Sequence, residues 1–367
     1  ITINGGIVGP LDNTGLNAYV YGGPKGGSNS GMRPYCNVNT TTVEMNMPMT
    51  DGNRVWGSLF GGGSDGHVLG DATVIMKNGN LGTQGITGYD GNIFGGGRNY
   101  YATSLTAGRV GGNTTVNMMG GHMRGSIFGG GRLGSVGYDI DGAMQTDGGG
   151  KTYGYTTVNI GGIVEAGVIE QLHDIEIGHA ALDDEDKVGG NVYGAGKGIV
   201  VNPAVNPQAP DMAKVKQTLV NIRQKGGKKT FIEGSVFGSG EDGHVLQDTY
   251  VNVYDGQIGG ETYNPSNPEL DGDHFHGNVY GGGRGLDTWK DNENVEHYSS
   301  TAGVVYGNTN VYIEGGHICR FVYGGGNLAS VGTYPETPVG GIYHTGLTKV
   351  TITGDAKIGV AANSANR

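Results

Sequence analysis

Apolar and polar residues alternate at period two in short stretches along most of the chain. Examples are DATVIMKNG (71–79), NTTVNMMGG (113–121), YTTVNIGG (155–162), DTYVNVYDG (248–256), NTNVYIEGG (308–316) and TKVTITGD (348–355). Val, Ile or Met alternating with Thr or Asn marks a strand with one buried face, and glycine ends nearly every stretch. A second unit lies between these strands: an apolar residue, an aromatic and a triplet of small residues. It occurs as YVYGGPKG around Tyr21, SLFGGGSDG at Phe60, NIFGGGRN at Phe94 and SIFGGGRLG at Phe128. It returns as NVYGAGKG at Tyr193, SVFGSGEDG at Phe237, NVYGGGRG at Tyr280 and FVYGGGNLAS at Tyr323. The intervals between these aromatics are 39, 34, 34, 65, 44, 43 and 43 residues, as expected of similar coils carrying variable loops.

A longer repeat is superposed on the short one. The first four copies match the second four in order, and FGGGSDGHVLGDATVIMKNG aligns without a gap on FGSGEDGHVLQDTYVNVYDG. The halves run over residues 1–160 and 161–360 of one continuous elongated domain. Two stretches leave the pattern: 164–188, read as containing a short helix with an acidic run at Asp183–Asp186, and 201–230, read as proline turns followed by a lysine-rich strand and turn. ITINGGIVG at the start and TITGDAKIG near the end are in the same phase, which predicts a segment of, or a unit processed from, a longer tandem array.

No single unit can bury its own apolar stripe, whereas stacked units share a core and a hydrogen-bond ladder. The expected fold is all-β, a right-handed parallel β-helix (β-solenoid) of about eight glycine-cornered coils, with the eight aromatics stacked inward as a ladder. The glycines would serve the corners by adopting positive φ or by allowing close backbone approach. A β-propeller is the alternative, because units of about 43 residues suit a four-stranded blade.

Composition narrows the function. Glycine supplies 77 of 367 residues without the strict collagen period, and 20 tyrosines provide apolar surface to bury, against disorder. A net charge of −11 argues against nucleic-acid binding, which draws its affinity from clustered Lys and Arg. No apolar run reaches membrane-spanning length and no signal peptide is evident, so membrane insertion is not expected. Cys36 and Cys319, far apart in sequence, are expected to be small buried thiols.

Candidate chemistry is sparse. GGGKT at 148–152 resembles a phosphate loop, but Gln145 stands where that pattern needs glycine. Asp65 and His67, repeated as Asp242 and His244 in DGH, are weak metal candidates, since one tripeptide supplies too few ligands. No cofactor is implied. Arg98, Arg132 and Arg284 follow the small-residue triplet and would form a polar stripe able to meet acidic sugars or a partner chain. Tyr100, Tyr101 and Trp289 add aromatic surface for a glycan groove. A polysaccharide-cleaving site needs a carboxylate pair or an Asp cluster beside a cation, while the acids here are mostly scattered singly at turns.

The [IV]-[FY]-G-G-G-[RN] and T-x-V-x-[IM]-x-G-G units resemble the glycine-rich repeats of very large surface proteins of Bacteroidales-type gut bacteria, over most of residues 18–358. They are also similar to the short Gly-rich repeats of β-helical autotransporter adhesins, without those families' characteristic signatures. The first resemblance implies an exported, extracellular or cell-surface protein with a structural or adhesive role, and carries over no catalytic residue. The expected function is a non-catalytic β-solenoid, an adhesin stalk or filament subunit. Its expected partners are further repeats or other copies stacked end to end, and host or bacterial glycans. A glycan-binding or polysaccharide-cleaving β-helix is the alternative.

Overall fold

A computed structural model describes residues 1–9, 18–27, 35–50, 52–82, 91–100, 104–165, 168–178, 190–260, 277–285, 287–332 and 346–360. Successive turns of the chain lay one strand each on three parallel sheets, in strict chain order, which makes the molecule a parallel β-solenoid. Sheet I holds nine strands from Thr2–Ile3 to Thr348–Ile352, sheet II nine from Ile7–Val8 to Lys357–Ile358, and sheet III eight from Val20–Tyr21 to Val322–Tyr323. A propeller is excluded, because each repeat contributes to sheets shared by all the others instead of forming its own blade. Nine strands at the parallel spacing of about 4.8 Å give a body about 38 Å long.

The alternating stretches are the sheet I strands. Pairing is residue for residue: Thr114, Val116 and Met118 oppose Thr156, Val158 and Ile160, which oppose Thr218, Val220 and Ile222. The inward Val and Ile/Met stripes join the sheet II apolar residues and the residue before each aromatic, such as Ile93, Ile127 and Val192, in one continuous core. On the outer face of sheet I, Asn159 donates to Asn117, Asn221 to Asn159 and Asn252 to Asn221 at 2.8–3.0 Å, an amide ladder that holds the register.

All eight aromatics of the second unit stack, with centroids 4.7–4.8 Å apart from Tyr21 through Phe60, Phe94, Phe128, Tyr193, Phe237 and Tyr280 to Tyr323. The ladder does not line the main core as expected. Adjacent residues of a two-residue strand point to opposite faces, so the Val or Ile enters the central core and the ring enters a second compartment. Six of these rings are nonetheless fully covered. A third apolar row, Val68, Val110, Val136, Val215, Val245 and Val305, closes the turn before it re-enters sheet I.

Glycine's work at the corner is steric. None of the first triplet glycines has positive φ, yet a Cβ on Gly61, Gly95, Gly129, Gly194, Gly238 or Gly281 would lie 2.1–2.3 Å from a carbonyl oxygen of the next turn. The triplet corner instead takes its left-handed residue just after the triplet and the residue that follows it, where Asp65, Leu133, Asp242 and Leu328 have φ of 53–59°. The first-glycine carbonyl also accepts a hydrogen bond from the threonine that opens the sheet I strand. Thr114 to Gly129, Thr156 to Gly194, Thr218 to Gly238 and Thr249 to Gly281 span 2.5–2.6 Å.

A two-turn period underlies the one-turn period. The residue before each [IV]-[FY] pair alternates Ser58, Asn92, Ser126, Asn191, Ser235, Asn278, and each side chain accepts the backbone N–H of the next at 2.7–3.1 Å, ending at Phe321. The Asn turns carry the longer loops after the corner, and the Ser turns carry the tight left-handed one.

Three expectations need correction. The strands Ile163–Glu165 and Val168–Glu170 pair antiparallel, and no helix occurs among the described residues of 164–188; the acidic run Asp183–Asp186 lies outside them. Residues 201–230 are not wholly an insertion, since Gln217–Ile222 is a full rung of sheet I whose Thr218, Val220 and Ile222 repeat the strand pattern. Cys36 is half-buried, whereas Cys319 is buried and donates to the Gly259 carbonyl.

The steric account of the corner is testable. Gly95→Ala is expected to cost about 1–3 kcal/mol or more, since neither backbone can yield without shifting a whole turn. Gly27→Ala, where a Cβ meets nothing within 4 Å, leaves the urea midpoint unchanged.

Candidate binding site along the aromatic ladder

The residue after each triplet sits on a corner row beside the aromatic ladder: Lys25, Ser64, Arg98, Arg132, Lys197, Glu241, Arg284 and Asn327. The row is a product of register, because isolated parallel bridges tie Lys25 to Ser64, Ser64 to Arg98, Arg132 to Lys197, Glu241 to Arg284 and Arg284 to Asn327. Like charges at the same position of adjacent turns would lie about 4.8 Å apart, so each cation must be separated, turned aside or neutralised.

In the second half a carboxylate sits between two of the cations. Glu241, 5% exposed, receives a 2.8 Å hydrogen bond from the Tyr193 hydroxyl, is in close ion contact with Lys197 and faces Arg284 Nη1 at 3.7 Å. Burial lowers the Lys197 ammonium below its ordinary pKa and raises the Tyr193 hydroxyl. Arg284 is only 2% exposed. It is therefore a buried partner of Glu241 and not the open glycan contact expected of it. Arg132 is half-buried and bridges to Lys197.

The first half is open at the matching place. Tyr21, Gly23, Lys25, Ser64, Asp65, Arg98 and Tyr100 line a cavity of about 630 Å³. The Arg98 guanidinium lies 4.5 Å from the centre of the Tyr100 ring and 5.5 Å from that of Tyr19, and its Nη1 donates to the Tyr21 hydroxyl at 3.4 Å. Cation–π contacts of this kind hold a guanidinium in a fixed plane.

The predicted glycan residues therefore separate. Arg98 and Tyr100 share one pocket, while Arg284 lies four rungs further along the row, about 19 Å at the strand spacing. Trp289 belongs to a hairpin, Thr288–Lys290 with Glu296–Tyr298, and stacks on His297 at 4.2 Å. Tyr101 lies outside the described residues. Lys25 and Tyr21, which complete the pocket, were legible only as a row cation and a ladder ring.

The DGH residues do structural work. Asp65 accepts the Tyr100 N–H at 2.7 Å and Asp242 accepts the Asp287 N–H at 3.1 Å, so each anchors the start of the next turn's loop. His67 and His244 are buried in the short strands leading to the Val68 and Val245 row. Among the described residues no group of three or more His, Cys, Asp or Glu could hold a metal ion. No protein-family model, curated protein or solved structure matches the chain.

Two outcomes are expected. Glu241→Ala, which removes the carboxylate between Lys197 and Arg284, lowers stability by about 3–5 kcal/mol in urea unfolding, far more than an exposed pair would. In the Trp289 hairpin, the His297 hydrogen bond and then the Val295 and Glu293 N–H groups hold the Asp291 carboxyl below its ordinary pKa. That carboxylate's contribution to hairpin order is thus present above the unfolded pKa and is lost as pH falls through the depressed one. Carboxyl NMR titration should place Asp291 below the usual range, and His297→Ala should move it upward.

Proposed function

We propose that the chain is a non-catalytic, structural and adhesive β-solenoid of an extracellular or cell-surface protein. Its regular body serves as a rod or filament unit, and its corner loops present contact surface. The observation that carries this reading is the in-register stacking, in which each repeat buries its apolar stripe only together with the turns beside it. Core positions that are fully covered in interior turns, such as Val251, Val253 and Ile258, recur at the last turn as Val350, Ile352 and Ile358, which are 40–50% exposed. At the opposite end Ile1, Ile3 and Val8 continue the same stripes; Ile1 is exposed, Val8 half-buried and Ile3 buried. Parallel edges carrying in-phase apolar stripes pair with further turns of the same pattern.

The use made of the acidic residues points the same way. Asp71 accepts the Asn113 N–H at 2.8 Å, Asp248 the Asn308 N–H at 2.7 Å and Asp174 the Lys229 N–H at 2.8 Å. With Asp65 and Asp242, these carboxylates brace loops and turn joints in successive coils. A polysaccharide-cleaving site would instead need a paired acid and base free to meet a substrate. The second reading, glycan binding without cleavage, is favoured by one feature, the Arg98–Tyr100 pocket.

Sedimentation and negative-stain microscopy over a concentration series should show end-to-end association into rods. Val350→Lys combined with Ile352→Lys should disperse them. Monomers at every concentration would count against assembly, and release of reducing ends from a polysaccharide would favour the cleaving alternative.

A further inference from the structure

The two halves are built on one plan, which makes the difference between Ser64 and Glu241 on the corner row informative. The gapless alignment pairs Ser64 with Glu241 and Asp65 with Asp242, and the flanking units pair Tyr21 with Tyr193, Lys25 with Lys197 and Arg98 with Arg284. The structure repeats the ring stacking and several of the corner bridges. Tyr21 stacks on Phe60 as Tyr193 stacks on Phe237. Lys25 bridges antiparallel to Asp65 as Lys197 does to Asp242, and Ser64 bridges parallel to Arg98 as Glu241 does to Arg284. Asp65 and Asp242 each brace the loop that follows the next cation.

At this place the first half lacks the central carboxylate. In the second half Glu241 fills the space between Lys197, Arg284 and the Tyr193 hydroxyl. In the first half Ser64 is too short to reach it, and the cavity of about 630 Å³ opens there between Lys25, Arg98 and Tyr21. The Nε of Arg98 is buried without a hydrogen-bond partner. Two cations thus converge where the duplicate half places an acid, in a pocket of the size that takes small organic ligands.

We infer that this pocket binds the carboxylate of an acidic saccharide, a uronic-acid residue, with the ligand's carboxylate taking the place that Glu241 occupies in the second half. The guanidinium of Arg98, planar and held by Tyr19 and Tyr100, offers its fork to the carboxylate, and Lys25 supplies a second positive charge. Tyr100 is 56% exposed at the pocket wall. Its ring offers a flat apolar surface for the C–H face of a pyranose, the feature that favours a sugar acid over an acidic peptide. The proposal presupposes the adhesive role proposed above and names the ligand class for it.

Calorimetric titration of the whole chain with a trigalacturonate oligomer, its neutral methyl ester and an acidic tripeptide separates the possibilities. The uronate should bind at one site per chain, at least about tenfold more tightly than the ester, and should weaken as salt rises. Ser64→Glu, which copies the internal acid of the second half, should lower uronate affinity at least about tenfold with an unchanged or raised melting temperature. Arg98→Gln should do the same and serves if Ser64→Glu fails to fold. Equal binding by wild type and Ser64→Glu, equal binding of ester and acid, or preference for the tripeptide would overturn the proposal. Absence of any binding would overturn the site and leave the structural solenoid standing. Shortening of the oligomer would overturn the non-catalytic reading and leave the site standing.

Discussion

One distance governs this molecule: the separation of about 4.8 Å between hydrogen-bonded parallel strands, imposed at every residue of every turn. At that spacing a side chain's closest neighbours are the residues at the same position one turn above and below. Rings stack with centroids 4.7–4.8 Å apart along the whole ladder, and Asn117, Asn159, Asn221 and Asn252 pass one hydrogen bond to the next. Where two backbones turn the same corner at that spacing a Cβ has nowhere to go, so glycine recurs at Gly61, Gly95, Gly129 and beyond. The sequence repeat is the imprint of this geometry.

The same constraint makes charge difficult to place. Five cations fall on the corner row, and a self-stacking position would set them against one another. The protein resolves this in two ways. Glu241 pairs with both Lys197 and Arg284 within the second half, while in the first half Ser64 separates Lys25 from Arg98 and Arg98 turns onto aromatic faces. The first solution closes the row against solvent and the second leaves a pocket. Recognition chemistry on a solenoid thus arises where the repeat is broken, because an unbroken repeat consumes its polar groups in turn-to-turn contacts.

Much of the architecture could be read from period alone. Val116, Val158 and Val251 at matching phase announce strands, and the recurring [IV]-[FY]-G-G-G announces a corner. Side-chain direction was less legible. The rings were expected in the main core, yet they occupy their own compartment because in a two-residue strand only one of two adjacent apolar residues can face inward. Gln217–Ile222 was hidden as a rung because prolines and lysines flank it, although its Thr218-x-Val220-x-Ile222 spacing is that of its neighbours. The Ser/Asn alternation was present in the letters before each [IV]-[FY] pair, but its meaning depends on buried backbone partners in the adjacent turn.

The candidate site marks the boundary between the two kinds of information. Local pattern sufficed for an all-β solenoid, its turn count, the stacked aromatics and a corner row of cations, since each follows from residues a few positions apart repeating in phase. It did not suffice to tell Arg98 from Arg284, which follow the same GGG triplet. One borders a cavity and the other is sealed beside a carboxylate 43 residues earlier in the chain. Exposure and ion pairing are set by what the neighbouring turn places against a residue, so only the stacked structure decided which cation is available to a ligand.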